Sequence, residues 1–328
     1  MLARQMCYLN KKASNFVFVA PRRFQQSYTT TTDQFTPVSI DVPWGKIEGK
    51  LWGSSDKQPI LAVHGFMDNA GSFDDIAPLL TKNSSILAID LPGHGLSSWL
   101  PRGIPYNEDM YAMALRMVVK YFDWNKVKLM GHSLGGMMCY NYTRIFPDET
   151  QFVVSLDSLA FMTDTIVNHS RRRTRAMDRY IELQNKLTDN PSYPEDVIID
   201  KWLTGTVFQS LNVPTVKTLM IRGTKRKEDG TFYFTRDTCL RAVGFYSCYT
   251  LENLKEMTQL ISCPYLVIKA MDTPHHDEFR YWGHIFDVLS KSSKDFRVFS
   301  VKGSHHVHMI EPETVAKHII PFLQKHDA

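Results

Sequence analysis

The sequence lacks the cysteine patterns of disulfide-stabilised domains and of zinc sites. It has five cysteines, and none of them belongs to a CxxC pair. They are Cys7, Cys139, Cys239, Cys248 and Cys263. An odd, scattered set does not form a regular disulfide framework, and it is typical of a protein in a reducing compartment. We therefore expect free thiols and no metal site.

Long apolar runs and dense basic clusters are also missing. No apolar run approaches the ~20 residues that a membrane-spanning helix needs. The net charge is only +4, and no long Lys/Arg run stands beside interleaved aromatic residues, so nothing supports nucleic-acid binding. The segment DLPGHG (Asp90–Gly95) lacks the G-x-G-x-x-G spacing of a dinucleotide site. These absences predict a globular protein without cofactor, nucleic-acid partner or membrane span.

The first 32 residues contain no acidic side chain. The segment contains five basic residues and a run of four threonines, Thr29–Thr32. A basic, hydroxyl-rich and acid-free N-terminus is typical of a mitochondrial transit peptide. The alternative is a disordered polar tail on a cytoplasmic protein. We therefore predict a targeting or disordered segment over residues 1–32, with a mitochondrial location as the first hypothesis.

Short apolar runs alternate with longer amphipathic segments through the rest of the chain. Near-continuous apolar runs predict strands that are covered on both faces. They are ILAVHG (Ile60–Gly65), SILAIDLPG (Ser85–Gly93), VKLMGH (Val127–His132), FVVSLD (Phe152–Asp157), YLVIKAMD (Tyr265–Asp272) and FRVFSVKG (Phe296–Gly303). Helical patterns follow several of them, within Phe73–Lys82, Glu108–Phe122, Gly135–Phe146 and Pro312–His326. Strand–helix alternation predicts an α/β fold with a mostly parallel sheet, and Thr36–Gly53 predicts an antiparallel hairpin at its start.

One long region departs from this alternation. Residues 158–259 show no clear strand–helix repeat and are rich in basic and aromatic residues. Because an unstructured coil of this length is improbable inside a compact domain, we predict a mostly helical insertion. The chain would then comprise a first core part (33–157), the insertion (158–259) and a second core part (260–328). The aromatic residues of the insertion favour an apolar substrate group, although each residue by itself is more typical of a packed core. They include Trp202, Phe232, Tyr233 and Phe234.

The pentapeptide GHSLG matches the pattern G-x-S-x-G, with Ser133 at its centre. In this pattern a strand ends, the chain turns sharply and a helix begins, which exposes the serine above the sheet. The glycines on either side remove side chains where strand and helix nearly touch. The context fits, because Val127–Met130 predicts the strand and Gly135–Phe146 predicts the helix. Ser133 is therefore a candidate nucleophile.

Two further segments offer what a nucleophilic serine requires. An oxyanion needs two backbone N–H donors. The amide of Leu134 would supply one donor, and the turn after His64 would supply the other, through Phe66. We expect His64 itself to brace that turn rather than to titrate in the reaction.

The general base should be a histidine on a late loop, and SHHVHM (Ser304–Met309) offers three. We select His305 because it directly follows the Gly-Ser turn and precedes the last helix. His306 is the adjacent competitor, and His308 is expected to pack or to bond locally. A histidine suits this role because its two nitrogens serve a serine and a carboxylate together.

Three aspartates are candidates for the carboxylate that orients this histidine. Asp157 and Asp272 end two predicted strands, and Asp277 lies further along the loop after the second strand. The carboxyl ends of parallel strands share one edge of a sheet, so both strand ends would lie near the site. Only one carboxylate is needed, and the residues alone leave the choice open.

The set of motifs resembles the α/β-hydrolase superfamily, and most closely its serine hydrolase-like (Kraken-type) group. The general resemblance rests on HGFMDN, DLPGHGLSS, GHSLGG and SHHVHM, in that order. The narrower one rests on LDSLAF (Leu156–Phe161), RGT (Arg222–Thr224), TRD (Thr235–Asp237) and VIKA (Val267–Ala270). The resemblance implies a sheet of about eight strands with a lid inserted between strands 6 and 7. It also implies Asp157 as the acid, because Asp272 lacks the longer glycine-containing turn of many relatives.

The expected function is that of a serine hydrolase that cleaves a carboxylic ester or thioester through an acyl-enzyme. Ser133, His305 and Asp157 would form the triad, with Asp272 as the alternative acid. The partner would be a small, apolar ester or acyl compound. A ligand-binding sensor on the same scaffold and a C–C bond hydrolase remain alternatives, because fold alone does not decide function. The sequence leaves the oligomeric state open.

Overall fold

The structure, a computed structural model, describes the chain from residue 35 to residue 327 with three short gaps. The described ranges are 35–186, 190–242, 246–274 and 281–327, and all of them belong to one compact unit, Thr31–Ala328. The predicted targeting segment and Asp277 lie outside these ranges. The cysteines within them are free thiols, as expected.

The strands of the main sheet form where the apolar runs and the predicted hairpin lie. In chain order they are β1 (Thr36–Val42), β2 (Gly45–Trp52), β3 (Ile60–Val63), β4 (Ile86–Ile89), β5 (Val127–His132), β6 (Thr150–Leu156), β7 (Thr224–Arg226), β8 (Phe232–Phe234), β9 (Tyr265–Ala270) and β10 (Phe296–Val301). Eight of them form one sheet in the order β1-β2-β4-β3-β5-β6-β9-β10. β2 runs antiparallel to β1 and β4, and the remaining neighbours are parallel. The expected mostly parallel α/β sheet is thereby confirmed.

Helices cover both faces of the sheet. They are α1 (Ala77–Leu80), α2 (Glu108–Tyr121), α3 (Leu134–Ile145), α4 (Ile166–Asn185), α5 (Glu195–Gly205), α6 (Val213–Gly223), α7 (Leu251–Gln259), α8 (Trp282–Ser292), α9 (Val307–Ile310) and α10 (Pro312–His326). The helix expected within Phe73–Lys82 is only the four-residue α1, preceded by a 3-10 turn. Pro78 explains why the helix does not begin earlier, because proline lacks an N–H and is best accommodated in the first helical turn.

The two faces of each central strand belong to different parts of the core. In β3, Leu61 and Val63 pack with α2 and α3, whereas Ile60 and Ala62 pack with α1 and α10. Alternate side chains point to opposite faces, and here both faces are apolar. The sheet is therefore the middle layer of the core. Candidate residues follow the carboxyl ends of its strands, with Ser133 after β5 and Asp157 after β6.

The region between β6 and β9 contains helices α4 to α7 and the antiparallel hairpin β7–β8. Sequence reasoning missed the hairpin, because its strands are only three residues long and β7 is partly basic. A small core of its own includes Trp202 and Leu219. A buried ion pair joins this region to the sheet, with Arg222 Nη2 at 2.7 Å from Asp90 Oδ2. None of the helices in the described ranges is long and apolar enough to cross a membrane.

Candidate active site

Ser133 occupies a strained turn between β5 and α3. Its φ of 51° and ψ of −117° are unusual for a residue with a side chain. A Cβ on Gly135 would lie 1.9 Å from the Val63 carbonyl oxygen, and a Cβ on Gly131 would lie 2.4 Å from the Gly135 carbonyl carbon. Both glycines are therefore required by close backbone contact. The turn holds Ser133 half-buried at the carboxyl end of β5.

Asp157 follows β6 and binds His305. The His305 Nδ1 lies 2.7 Å from Asp157 Oδ2, and both side chains are nearly inaccessible to solvent. The same carboxylate accepts hydrogen bonds from the Thr273 hydroxyl at 2.6 Å and from the Ala270 amide at 2.9 Å. An ionised carboxylate only accepts hydrogen bonds, so His305 Nδ1 must carry a proton. In the neutral imidazole, Nε2 is then an acceptor.

The surroundings of Asp157 favour its ionised form. Burial acts to raise the pKa of the carboxyl, but the hydrogen bond and charge of His305, with the bonds from Thr273 and Ala270, outweigh burial and lower the pKa. The carboxylate is therefore charged at neutral pH and can stabilise a protonated His305.

His305 is also tied to the residue that precedes the candidate nucleophile. His132 Nε2 lies 3.0 Å from the His305 carbonyl oxygen, and the two ring centroids are 4.7 Å apart. The side chains of Ser133 and His305 are not joined by a hydrogen bond within the part of the chain that the structure describes. In free enzymes such catalytic bonds are often long and shorten only when substrate binds.

The other histidines of SHHVHM are engaged elsewhere. His306 has Nε2 at 3.1 Å from Asp68 and Nδ1 at 2.6 Å from the Ser210 hydroxyl, so neither nitrogen is available to a nucleophile. His308 is fully buried, with its ring centroid 4.2 Å from that of His132.

The structure separates the alternative acid Asp272 from the histidine. Asp272 is exposed, and its carboxylate accepts a hydrogen bond from the Gly303 amide at 3.1 Å. Its own amide donates to the Gly303 carbonyl at 3.0 Å. Asp272 thus joins the ends of β9 and β10 rather than binding His305.

The two candidate oxyanion donors belong to the first residue of α3 and to the turn after β3. Leu134 is the first residue of α3, where backbone N–H groups have no partner within the helix. Phe66 lies in the turn after β3, which the Asp68 amide closes by donating to the Gly65 carbonyl at 3.2 Å. Among the described residues, neither the Leu134 nor the Phe66 amide donates a hydrogen bond.

His64 braces this turn as expected. Its Nδ1 lies 2.7 Å from the Gly65 carbonyl, and its Nε2 accepts a hydrogen bond from the Leu91 amide at 2.9 Å. Burial lowers the pKa of His64, so the ring stays neutral. It therefore contributes to the shape of the turn.

Sequence reasoning missed a buried polar network that includes His132, the residue before Ser133. Asp68 Oδ2 is 3.1 Å from His306 Nε2 and 3.5 Å from His132 Nδ1. Burial acts to raise the pKa of Asp68, but the two histidines outweigh burial and hold it well below its ordinary value. One donor atom from each of the three side chains lies within 4.8 Å of the others, so they could hold a metal ion. Asp68 lies in HGFMDN, His132 in GHSLGG and His306 in SHHVHM, so the motifs already contained the residues of this network.

A cavity of about 100 Å³ lies beside the candidate oxyanion turn. Phe66, Met67 and Asp68 line it from the core. Trp202 and Arg236 line it from the region between β6 and β9. Of the aromatic residues considered from the sequence, Trp202 thus reaches the cavity. The side chains of β8 at positions 232 and 234 pack on the small core around Trp202.

Comparisons with known proteins identify the family and the fold of the chain. Residues 58–195 match the family described as alpha/beta hydrolase fold. The chain is 34% identical over 296 residues to a probable serine hydrolase of Drosophila melanogaster, which covers 89% of each chain. It is 30% identical over 299 residues to the serine hydrolase-like protein 2 of Homo sapiens, which covers 88% of this chain and 93% of the relative. The crystal structure of a hypothetical protein from Pseudomonas aeruginosa PAO1 superposes with a TM-score of 0.76 at 22% identity, over 88% of this chain and 99% of that one.

Proposed function

The chain belongs to the α/β-hydrolase family, in its serine hydrolase-like group, and we propose that it cleaves a carboxylic ester or thioester through an acyl-enzyme on Ser133. The observation that carries the proposal is the 2.7 Å contact between His305 and Asp157 beside a serine held at φ 51°. These features support an activated nucleophile whose base is oriented by a third group.

The reaction takes two steps. Ser133 Oγ attacks the carbonyl carbon while His305 Nε2 removes the hydroxyl proton, and the oxyanion accepts hydrogen bonds from the amides of Phe66 and Leu134. The bond to the leaving oxygen or sulfur breaks, and His305 returns the proton to the departing alcohol or thiol. Water then attacks the acyl-enzyme by the same route and releases the acid.

Asp157 acts through His305. Its charge keeps the proton on Nδ1, so that Nε2 faces the nucleophile as an acceptor, and it stabilises the imidazolium that forms. The helix α3 adds to the oxyanion site, because the N-terminal end of a helix carries a partial positive charge.

The region between β6 and β9 acts as the lid in this proposal. Trp202 and Arg236 from that region share a cavity with Phe66, so lid and oxyanion turn enclose the same space. The apolar wall that Trp202 provides supports a substrate with an apolar acyl or alcohol part. The substrate is a small molecule that enters between lid and sheet.

A fluorophosphonate probe and p-nitrophenyl esters test the proposal. We expect the wild type to be labelled and to hydrolyse the esters, and we expect Ser133→Ala to lose both activities. Ser290→Ala is the matched control, because Ser290 is exposed on α8 and its hydroxyl bonds only locally. A Ser133→Ala protein that hydrolysed the esters at the wild-type rate would falsify the proposal.

A further inference from the structure

Arg236 stands on a segment of the lid that is fixed to the core on both sides. The preceding Thr235 accepts a hydrogen bond from Trp99 Nε1 at 2.9 Å through its carbonyl oxygen. The following Asp237 donates its amide to the Gly93 carbonyl at 2.8 Å. The backbone at Arg236 is therefore positioned before any ligand arrives, which reduces the entropic cost of binding.

The guanidinium of Arg236 is held between aromatic rings without a carboxylate partner. Its central carbon lies 3.8 Å from the Phe234 ring centroid and 5.4 Å from that of Trp202. Among the described residues, no carboxylate oxygen lies within 4.0 Å of its nitrogens, and none accepts a hydrogen bond from them. Burial lowers the pKa of Arg236 to about 10, so the group remains a cation at neutral pH. The charge of Asp68 acts on Arg236 through space and raises its pKa, but no carboxylate of the described residues contacts the guanidinium directly. A partly desolvated cation without a direct partner is costly, which indicates that this partner is a ligand.

The charges around the cavity leave one positive charge unbalanced. Arg236 and Lys201 are cations on its wall, and Asp68 is its only carboxylate among the described lining residues. Asp68 is already bound by His306 at 3.1 Å. Lys201 is exposed, so solvent screens its charge, and Arg236 is the desolvated cation of the cavity. Its single charge matches a carboxylate better than a doubly charged phosphate.

We propose that Arg236 binds a carboxylate of the substrate, so that the preferred ester or thioester carries one negative charge on its acyl or its alcohol part. This inference rests on the proposed function. The planar guanidinium suits a carboxylate because two N–H groups can donate to its two oxygens. Phe66 connects the two sites, since it lines the cavity and its amide is the proposed oxyanion donor. The apolar chain of the substrate would lie along Trp202, between Ser133 and Arg236.

Matched pairs of esters test this assignment on the full protein. The acyl pair is the mono-p-nitrophenyl ester of adipic acid and p-nitrophenyl hexanoate, which have six-carbon acyl groups and differ in charge. The alcohol pair is the butyrate ester of 4-hydroxybenzoate and that of 4-hydroxybenzamide. For each pair, the ratio of kcat/KM for the charged ester to that for the neutral ester is measured in wild type, Arg236→Gln, Arg236→Lys and Arg226→Gln. Arg226 is the control, because it is an exposed arginine of the hairpin that precedes Arg236, and it lies over the Phe232 ring at 5.8 Å.

We expect the ratio of one pair to fall by about 10- to 100-fold in Arg236→Gln, which is the size of one charge-assisted hydrogen-bonded pair. Arg236→Lys should lose less, because lysine keeps the charge but not the planar fork. Arg226→Gln should keep the wild-type ratio. A fall in the adipate pair assigns the carboxylate to the acyl part, and a fall in the hydroxybenzoate pair assigns it to the alcohol part.

Equal ratios in wild type and Arg236→Gln for both pairs overturn the inference, as does an equal fall in Arg226→Gln. In that case fluorophosphonate labelling and hexanoate hydrolysis still report on Ser133, so the proposed function stands. If the wild type is not labelled and hydrolyses none of the esters, the inference and the proposed function are both overturned.

Discussion

Replacing Asp157 with asparagine tests the link between this carboxylate and the proposed base, His305. Three groups donate to this side chain, with His305 Nδ1 at 2.7 Å and the Thr273 hydroxyl at 2.6 Å from Oδ2, and the Ala270 amide at 2.9 Å from Oδ1. Asparagine offers one oxygen and one NH₂ group. If the oxygen stays at Oδ1, the NH₂ group faces His305, which must move its proton to Nε2. If the oxygen stays at Oδ2, the NH₂ group faces the Ala270 amide.

Both arrangements are costly. In the first, Nε2 carries a proton and no longer accepts one from Ser133, so we expect kcat to fall by about 10⁴-fold, or about 5 kcal/mol of transition-state stabilisation. In the second, two buried donors face each other, which costs about 1–3 kcal/mol of folding free energy. We expect the first arrangement to be the populated one, because the second places two buried donors face to face, so most of the enzyme would hold the inactive tautomer.

The assay is the hydrolysis of p-nitrophenyl hexanoate, with fluorophosphonate labelling as a second readout and urea unfolding to verify the fold. Asp272→Asn is the matched control. The asparagine oxygen can still accept the 3.1 Å hydrogen bond from the Gly303 amide, so we expect activity within about threefold of wild type. A folded Asp157→Asn enzyme within tenfold of wild type would refute the reasoning, and so would a 10³-fold loss in Asp272→Asn.

Three further predictions concern stability. Gly135→Ala places a Cβ 1.9 Å from the Val63 carbonyl, so we expect loss of more than about 3 kcal/mol or failure to fold; an unchanged urea midpoint would contradict this. Arg222→Leu leaves Asp90 buried without its 2.7 Å partner, which should lower the free energy of unfolding by about 3–5 kcal/mol, and a loss below about 1 kcal/mol would show that the pair contributes little. Burial lowers the pKa of His132 from 6.5 to about 4, so below pH 6.5 the unfolded state binds a proton that the folded state excludes. Stability should therefore fall between about pH 6.5 and 4, by up to about 3 kcal/mol from this group, whereas a urea midpoint that is flat or rises on acidification would disprove it.

The sheet was predictable from the sequence because its signals are local. A strand covered on both faces requires an unbroken apolar run, and Ile60–Val63 and Tyr265–Ala270 are such runs. The hairpin β7–β8 was not predictable in this way. Its strands are too short to show a period, and the Asp229-Gly230 turn was its only strong signal, with Gly230 at φ 86°.

The candidate nucleophile was likewise a local inference. Ser133 lies between a strand that ends at His132 and a helix that begins at Leu134, as the pattern G-x-S-x-G requires. Gly131 and Gly135 are necessary because a side chain at either position would overlap the backbone of a neighbouring segment. The pentapeptide GHSLG therefore meets most of the steric requirements of this turn.

The sequence by itself determined the layered α/β architecture, the serine turn and the order of the candidate residues, because these depend on neighbours along the chain. Only the tertiary structure decided which aspartate meets His305, since Asp157 lies 148 positions away and Asp272 stands at the same edge of the sheet. Likewise, only the tertiary structure placed Arg236 beside the candidate oxyanion turn. Such contacts join loop ends that no local pattern relates, and the packing of the sheet and lid brings them together.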